Sequence, residues 1–374
     1  MAPSPRGSLC LAAAAWGFCV LVLAVQPHQA HGLSRGSYGL KTDKLVRINN
    51  IGCVSQVTTR DGYILSLQRI PEGRVGGGPD KRQPVLLQHG VLVDGISWML
   101  NQQPEQNLPM ILADNGFDVW ITNSRGTKYS CRHTSLKASN PAYWDWSWDE
   151  MVFFHLPEIL DFIQGQTGQK VDYVGQSMGT LVLLVAASEG LLTNRVKSAA
   201  LLSPIAYLSH ITTKIGIVAV RAFVGEILNK GFGISEFDPK QEPVKSFLEF
   251  LCAYEDIDCS DLISEFTAVR DGVVAKYNDG SPSSNRAHYG VASTPLYNLS
   301  NIPHDLPLFL SYGGRDALSD VQDVNILLDS LRFHEVDKLS VQFVKDYARV
   351  DFMAAANAKD VVYNRIVDFF KHQN

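Results

Sequence analysis

The sequence predicts an α/β fold: a mostly parallel sheet flanked by helices, with an inserted helical segment. Two observations predict it. Apolar runs of strand length alternate with helix-length segments over most of the 374 residues, and that alternation gives parallel strands covered on both faces. The alternation then stops between about Ala206 and Pro303, where helix-like apolar stretches replace it. Hydrophobic residues make up 45% and charged residues 19%, an ordinary balance for a packed chain. The length suits one large domain, or a core domain with an insertion.

The elements follow in order. Arg6, the apolar run Leu9 to Val25 and the segment "QPHQAHG" open the chain. Ala30 and Gly32 place small residues where a signal peptidase reads, so residues 1–32 read as a signal peptide. A signal anchor is the alternative, because the apolar run is long. Cleavage leaves a mature chain of about 342 residues with no transmembrane span. The first part of the core is placed at 33–206. "YILSLQRI" (63–70) alternates and suits an antiparallel strand. "PVLLQHG" (84–90), "DVWITNSRG" (118–126), "VDYVGQS" (171–177) and "SAALLSPIA" (198–206) read as buried strands, as do "PLFLSYGG" (307–314) and "VQFVKDYA" (341–348). Helical patterns run from Leu108 to Asn115, Asp149 to Gln164, Leu181 to Glu189, Val321 to Leu331 and Ala358 to Phe370.

Residues 207–302 read as a helical cap or lid. Phe247, Phe250, Leu251 and Tyr254 share one helical face. Lys214, Arg221 and Glu226 exclude a membrane span there. Residues 303–374 complete the core.

The formal net charge is -5, and the longest local basic cluster is Lys81-Arg82, which argues against a nucleic-acid groove. Cys10 and Cys19 leave with the signal peptide. Cys53, Cys131, Cys252 and Cys259 then remain in an oxidising compartment. Cys252 and Cys259 are close in sequence and are expected to pair. Spacing leaves Cys53 and Cys131 free or bridged. Asn298-Leu299-Ser300 is an N-glycosylation sequon. No metal or organic cofactor is implied.

The chemistry centres on "VDYVGQSMGT" (171–180). A strand turns through Gly-Gln-Ser-Met-Gly into a helix, the setting of a nucleophile elbow that presents Ser177. A glycine-rich packing turn is the plain alternative. Two backbone N–H groups must face the reacting carbonyl. Met178, next to the nucleophile, and Val91, after the strand ending at His89-Gly90, are the expected oxyanion donors. His89 is expected to shape that loop rather than carry protons. Where such an elbow is used, the acid follows the serine and a histidine comes last. "SYGGRDALSD" (311–320) presents Asp316 as the acid, in preference to Asp320 and Asp323; an N-cap is its other reading.

The histidine belongs just past the final strand, in "KDYARVDF" (345–352), but Arg349 stands there. A guanidinium stays protonated and has no lone pair to accept the serine proton. Other histidines are poorly placed. His334 precedes the last strand, which at ~3.3 Å per residue leaves it about 25 Å from the catalytic edge. His372 ends the last helix. His210 and His288 lie in or beside the cap. His133, in a loop, and His155, near or in a helix, read as structural. The tryptophans of "YWDWSWDE" (143–150) suit lipid contact or plain aromatic packing at a helix entrance.

At this point the chain resembles the gastric and lysosomal acid lipases and their plant relatives. "DGYIL" (61–65), "LLQHG" (86–90), "NSRGT" (123–127), "WDEM" (148–151), "YVGQSMGT" (173–180), "LLSPIAYL" (201–208), "YGGRDALSDVQDV" (312–324) and "DYARVDF" (346–352) resemble that family's blocks. The resemblance spans nearly the whole mature chain. It implies an α/β-hydrolase fold with a cap, and hydrolysis of neutral-lipid esters at a lipid–water interface. The implied compartments are extracellular or lysosome- and vacuole-like, reached through the secretory pathway. Ser177 and Asp316 match the family's nucleophile and acid. The departures are Gln176 for a histidine, His155 for an aspartate, a shortened cap between Asp261 and Tyr277, and Arg349 for the catalytic histidine. Three expectations follow: a lipase-family ester hydrolase, a catalytically silent lipid- or acyl-binding protein, or an active enzyme with one substituted residue.

Overall fold

A computed structural model describes residues 55–74, 81–91, 93–210, 273–276 and 281–373. The proposed signal peptide, Cys252, Cys259 and most of the proposed cap lie outside the described residues.

Nine strands form one sheet among the described residues. They are β1 (Ser55–Thr58), β2 (Tyr63–Ile70), β3 (Pro84–Gln88), β4 (Asp118–Thr122), β5 (Arg132–His133), β6 (Val171–Gln176), β7 (Val196–Leu202), β8 (Leu308–Gly313) and β9 (Leu339–Val344). Their order is β1-β2-β4-β3-β6-β7-β8-β9, with β5 pairing β2. The first strands are antiparallel, as the alternation at 63–70 predicts. From β4 through β9 every pairing is parallel. The helices are α1 (Leu108–Asp114), α2 (Leu156–Thr167), α3 (Met178–Ser188), α4 (Pro282–Tyr289), α5 (Val321–Ser330) and α6 (Asn364–His372).

Both faces of the sheet are covered from β3 to β8, which explains the apolar runs there; β9, expected to be buried, is the edge strand and is mostly exposed. Leu86, Tyr173, Ala199 and Leu310 pack with Leu156, Ile159 and Leu160 of α2 and the apolar residues of α3. Val85, Leu87, Val174, Ala200 and Phe309 pack on the other side with α1 and with Ile366, Val367 and Phe370 of α6. Each such side chain contributes about 1.5–3 kcal/mol when fully buried.

Several boundaries differ from the sequence expectation. The strands at 84, 118 and 198 end at Gln88, Thr122 and Leu202, so the polar ends of those runs become loops. α3 begins directly at Met178 rather than Leu181, because Ser177 occupies the capping position of the elbow and Gly179 continues the helix. The helix expected from Asp149 to Gln164 is interrupted by a π turn, Met151–His155. Pro157 has no N–H for the carbonyl of Phe153, and Arg60 Nη2 donates to that carbonyl instead, at 3.4 Å. His133 lies in β5, not in a loop.

One buried carboxyl marks the sheet interior. Asp172 of β6 accepts a hydrogen bond from Ser198 Oγ at 2.7 Å, and its other oxygen has no hydrogen-bond partner among the described residues. Burial pushes this carboxyl up to about 7, against smaller opposing effects from Ser198 and Lys197. A folded-state value above the unfolded one means the contribution to stability is full below about pH 4 and is lost as pH rises through about 7. Asp172→Asn keeps an acceptor for Ser198 and removes the ionisation. It is therefore expected to be more stable than wild type at pH 8, by a few kcal/mol on the order of magnitude of the shift, and nearly equal at pH 4. Urea unfolding at the two pH values measures this, and an equal difference at both would refute it.

Candidate active site

The candidate residues meet at the C-terminal edge of the parallel strands, where open α/β sheets bind ligands. Ser177 ends β6 at φ 56 and ψ −122, a strained conformation for a residue with a side chain. Close packing holds it there. A Cβ on Gly175 would lie 2.8 Å from the Gly179 carbonyl carbon, and one on Gly179 would lie 2.7 Å from the Gln88 carbonyl oxygen. The Ser177 N–H donates to Leu202 O at 3.1 Å.

The loop after β3 runs alongside. A Cβ on Gly90 would come within 2.9 Å of Ser177 Cβ and 3.3 Å of Ser177 Oγ. Only a glycine permits that approach, and it carries Val91 past the serine. The amides of Val91 and Met178 make no backbone hydrogen bond among the described residues.

Much of the local sequence pattern braces this loop. His89 is buried; its Nδ1 bonds Gly90 O at 2.6 Å, and its Nε2 accepts the Ser124 N–H at 3.0 Å. Burial lowers its pKa, so it is a neutral spacer. Gln88 Nε2 donates to Ser124 Oγ at 3.0 Å. Asn123 accepts the Gly95 N–H at 2.9 Å and donates to Gln68 Oε1 at 2.7 Å. Arg125 pairs with Asp61 at 2.5 Å and lies over the Tyr63 ring. The "NSRGT" and "DGYIL" blocks were legible as family signatures, but their bracing role was not, since it depends on contacts between distant strands.

Asp316 follows β8, and Arg349 follows β9. Gly313 and Gly314 let the two chain segments touch: added Cβ atoms would meet Tyr347 O at 2.0 Å and Lys345 O at 2.4 Å. Asp316 Oδ1 accepts the N–H groups of Leu318 at 3.1 Å and Ser319 at 2.9 Å. These bonds brace a turn; no helix begins at Asp316, so it is not an N-cap. Asp320 caps α5 through Gln322 N, as expected of the next helix start.

Arg349 bridges the site. Its Nη1 donates to Ser177 Oγ at 2.8 Å, and its Nη2 donates to Asp316 Oδ1 at 3.1 Å. A bidentate fork on the carboxylate is not formed, because one arm of the guanidinium reaches the serine. Ser177, Asp316 and Arg349 are 2%, 4% and 4% exposed, so all three are shielded from solvent.

Of the other histidines, His133, His210 and His334 are hydrogen-bonded elsewhere, whereas neither ring nitrogen of His155 has a hydrogen-bond partner among the described residues. His133 Nδ1 accepts the N–H groups of Ser135 and Leu136, and its Nε2 bonds Asp61 O at 2.8 Å. His155 is fully buried, and burial drives its pKa well below the usual value, with Arg125 adding to the effect. His210 Nδ1 bonds Asp323 Oδ1 at 2.8 Å. His334 Nε2 bonds Leu306 O at 2.6 Å. No hydrogen bond joins any histidine to Ser177 among the described residues.

Trp148 is buried against Tyr297, so packing accounts for it. Asn298 is exposed and caps a short turn through Ser300 N. Cys131 is disulfide-bonded, and its partner lies outside the described residues. No described helix is long and apolar enough to cross a membrane.

A parallel sheet covered on both faces, with a serine elbow at its C-terminal edge, defines the α/β-hydrolase class. The profile described as alpha/beta hydrolase fold matches residues 83–221, and that of a partial alpha/beta-hydrolase lipase region matches 52–102. The chain is 50% identical over 352 residues to "Triacylglycerol lipase 2" of Arabidopsis thaliana, covering 85% of this chain and 84% of that protein. It is 33% identical over 350 residues to the human "Gastric triacylglycerol lipase", covering 83% and 86%. An esterase structure from Pyrococcus furiosus aligns with a TM-score of 0.50 at 16% identity, covering 85% and 91%, a likeness of fold alone. The chain belongs to the acid lipase family of α/β-hydrolases, as its motifs suggested.

Proposed function

We propose that this chain is a lipid-ester hydrolase in architecture whose hydrolytic step is arrested, leaving an acyl-lipid binding site. Ser177 stands as the nucleophile, the Val91 and Met178 N–H groups as the oxyanion donors, and Asp316 as the acid. Arg349 occupies the place of the base.

The direction of one hydrogen bond carries this reading. A working base accepts the proton of the serine hydroxyl. Arg349 Nη1 donates to Ser177 Oγ instead. One of the two oxygen lone pairs is engaged, and no histidine among the described residues is bonded to the hydroxyl to receive its proton. Loss of the histidine from such a triad costs on the order of 10⁶ in turnover, and the oxyanion hole and binding leave about 10³–10⁴ over water. Passage through the secretory pathway is part of the proposal, supported by the disulfide at Cys131.

The test is a short-chain nitrophenyl ester and a fluorophosphonate probe offered to wild type and Ser177→Ala. Both proteins should hydrolyse the ester equally slowly, and neither should be labelled at position 177. Vigorous wild-type turnover, abolished by Ser177→Ala, would overturn the arrest and require another base.

A further inference from the structure

We propose that the Ser177 site binds the carboxylate of a free fatty acid in preference to an uncharged ester. The proposal rests on the arrested-site reading above for the acyl chain; what it adds is the charge of the head group.

Several donors converge on the reacting position. Arg349 supplies a buried guanidinium within 2.8 Å of Ser177 Oγ. Because the serine oxygen accepts that bond, its own O–H is left to donate elsewhere. Met178 and Val91 add two amides that make no backbone hydrogen bond among the described residues. The backbone leading to Val91 passes close by, since a Cβ on Gly90 would lie 3.3 Å from Ser177 Oγ. An ester carbonyl has two lone pairs and no charge. A carboxylate offers about four acceptor positions, and hydrogen bonds to it are roughly twice as strong as neutral ones.

The charge balance points the same way. A neutral imidazole beside the Asp316 carboxylate would leave the position with a net negative charge, which repels a carboxylate product. The guanidinium cancels that charge. Oδ1 of Asp316 accepts bonds from Leu318 N, Ser319 N and Arg349 Nη2, while its Oδ2 is buried with no hydrogen-bond partner among the described residues. His89, in the loop leading to Val91, spends both ring nitrogens on the backbone. A substitution that removes a base thus also builds an anion seat.

The experiment measures binding of oleate and methyl oleate to the full mature chain by calorimetry, with wild type, Arg349→Met and Arg349→Lys. Wild type should bind oleate roughly tenfold or more tightly than methyl oleate, a difference of about 1.4 kcal/mol. Arg349→Met should erase that preference, bringing the ratio of oleate to methyl oleate affinity to about one. Arg349→Lys should keep part of it. Equal binding of the two ligands by wild type, or a preference for the ester, overturns the proposal. So does a preference that survives Arg349→Met. Should Arg349→Met fail to fold, by loss of its thermal transition, the wild-type ratio and Arg349→Lys decide. Chromatography of the recovered methyl oleate separates the two readings. Wild-type turnover sinks the arrested site, whereas intact ester with no oleate preference sinks only the carboxylate seat.

Discussion

Arg349→His is expected to turn this chain into an esterase. Histidine at 349 would stand between Ser177 Oγ and Asp316, both of which Arg349 already reaches. The serine proton would gain an acceptor, and the acid would orient the ring. Hydrolysis of a short-chain nitrophenyl ester should rise by about 10³-fold or more over wild type. Fluorophosphonate should label Ser177 in the variant. The activity gained should increase with pH through the ionisation of an imidazole, near 6.5. Arg349→Gln separates two explanations of a gain: it removes the cation but supplies no base, and it should stay as slow as wild type. Adding Ser177→Ala to Arg349→His should abolish the gain. No increase from Arg349→His would mean that another departure, such as Gln176 or His155, had already disabled the site.

The second large effect is on stability. Asp316→Ala removes a carboxylate that the guanidinium of Arg349 faces in a buried setting; their side chains are 0% and 5% exposed. It also removes the acceptor of two backbone N–H groups. Breaking one side of a buried ion pair costs about 3–5 kcal/mol, which urea unfolding reads as a lowered midpoint at unchanged slope. Asp316→Asn should cost less, because an amide oxygen still caps the turn. In the double variant Asp316→Asn/Arg349→Met the two losses should not add, with a coupling of about 0.5–3 kcal/mol. Additive losses would show that the pair is without energetic consequence and that Asp316 acts as a cap alone.

Much of the architecture was legible in the sequence. The inner parallel strands β3, β4, β6, β7 and β8 are buried on both sides, and their apolar runs show it; β9, which reads as buried, is an edge strand with Val341 and Phe343 exposed. The antiparallel start shows at 63–70, where alternation replaces the run. The elbow, the loop after β3 and the position of Asp316 followed from the order of strand, turn and helix. What escaped depended on contacts rather than on pattern. β5 has two residues and is defined only by pairing to β2. The π turn before α2 arises from Pro157 meeting a helix that does not stop. The guanidinium's division between Ser177 and Asp316 also could not be read, since spacing places Arg349 at the site without saying which atoms it touches. The pairing of Cys252 with Cys259 lies outside the described residues, whereas Cys131, left open by spacing, is bonded.

The tight contacts around the elbow have a consequence for how a signature is interpreted. Gly90, Gly175 and Gly179 each sit where an added carbon would strike backbone or the serine itself. Their presence is required for β3, β6 and α3 to fit together, whatever happens at the hydroxyl. Packing alone is thus a sufficient reason for both glycines of the Gly-x-Ser-x-Gly signature, independent of any reaction at the serine. In this architecture the signature testifies to shape. What bears on reaction lies far away in sequence, at 349, where a guanidinium donates to the Ser177 hydroxyl oxygen.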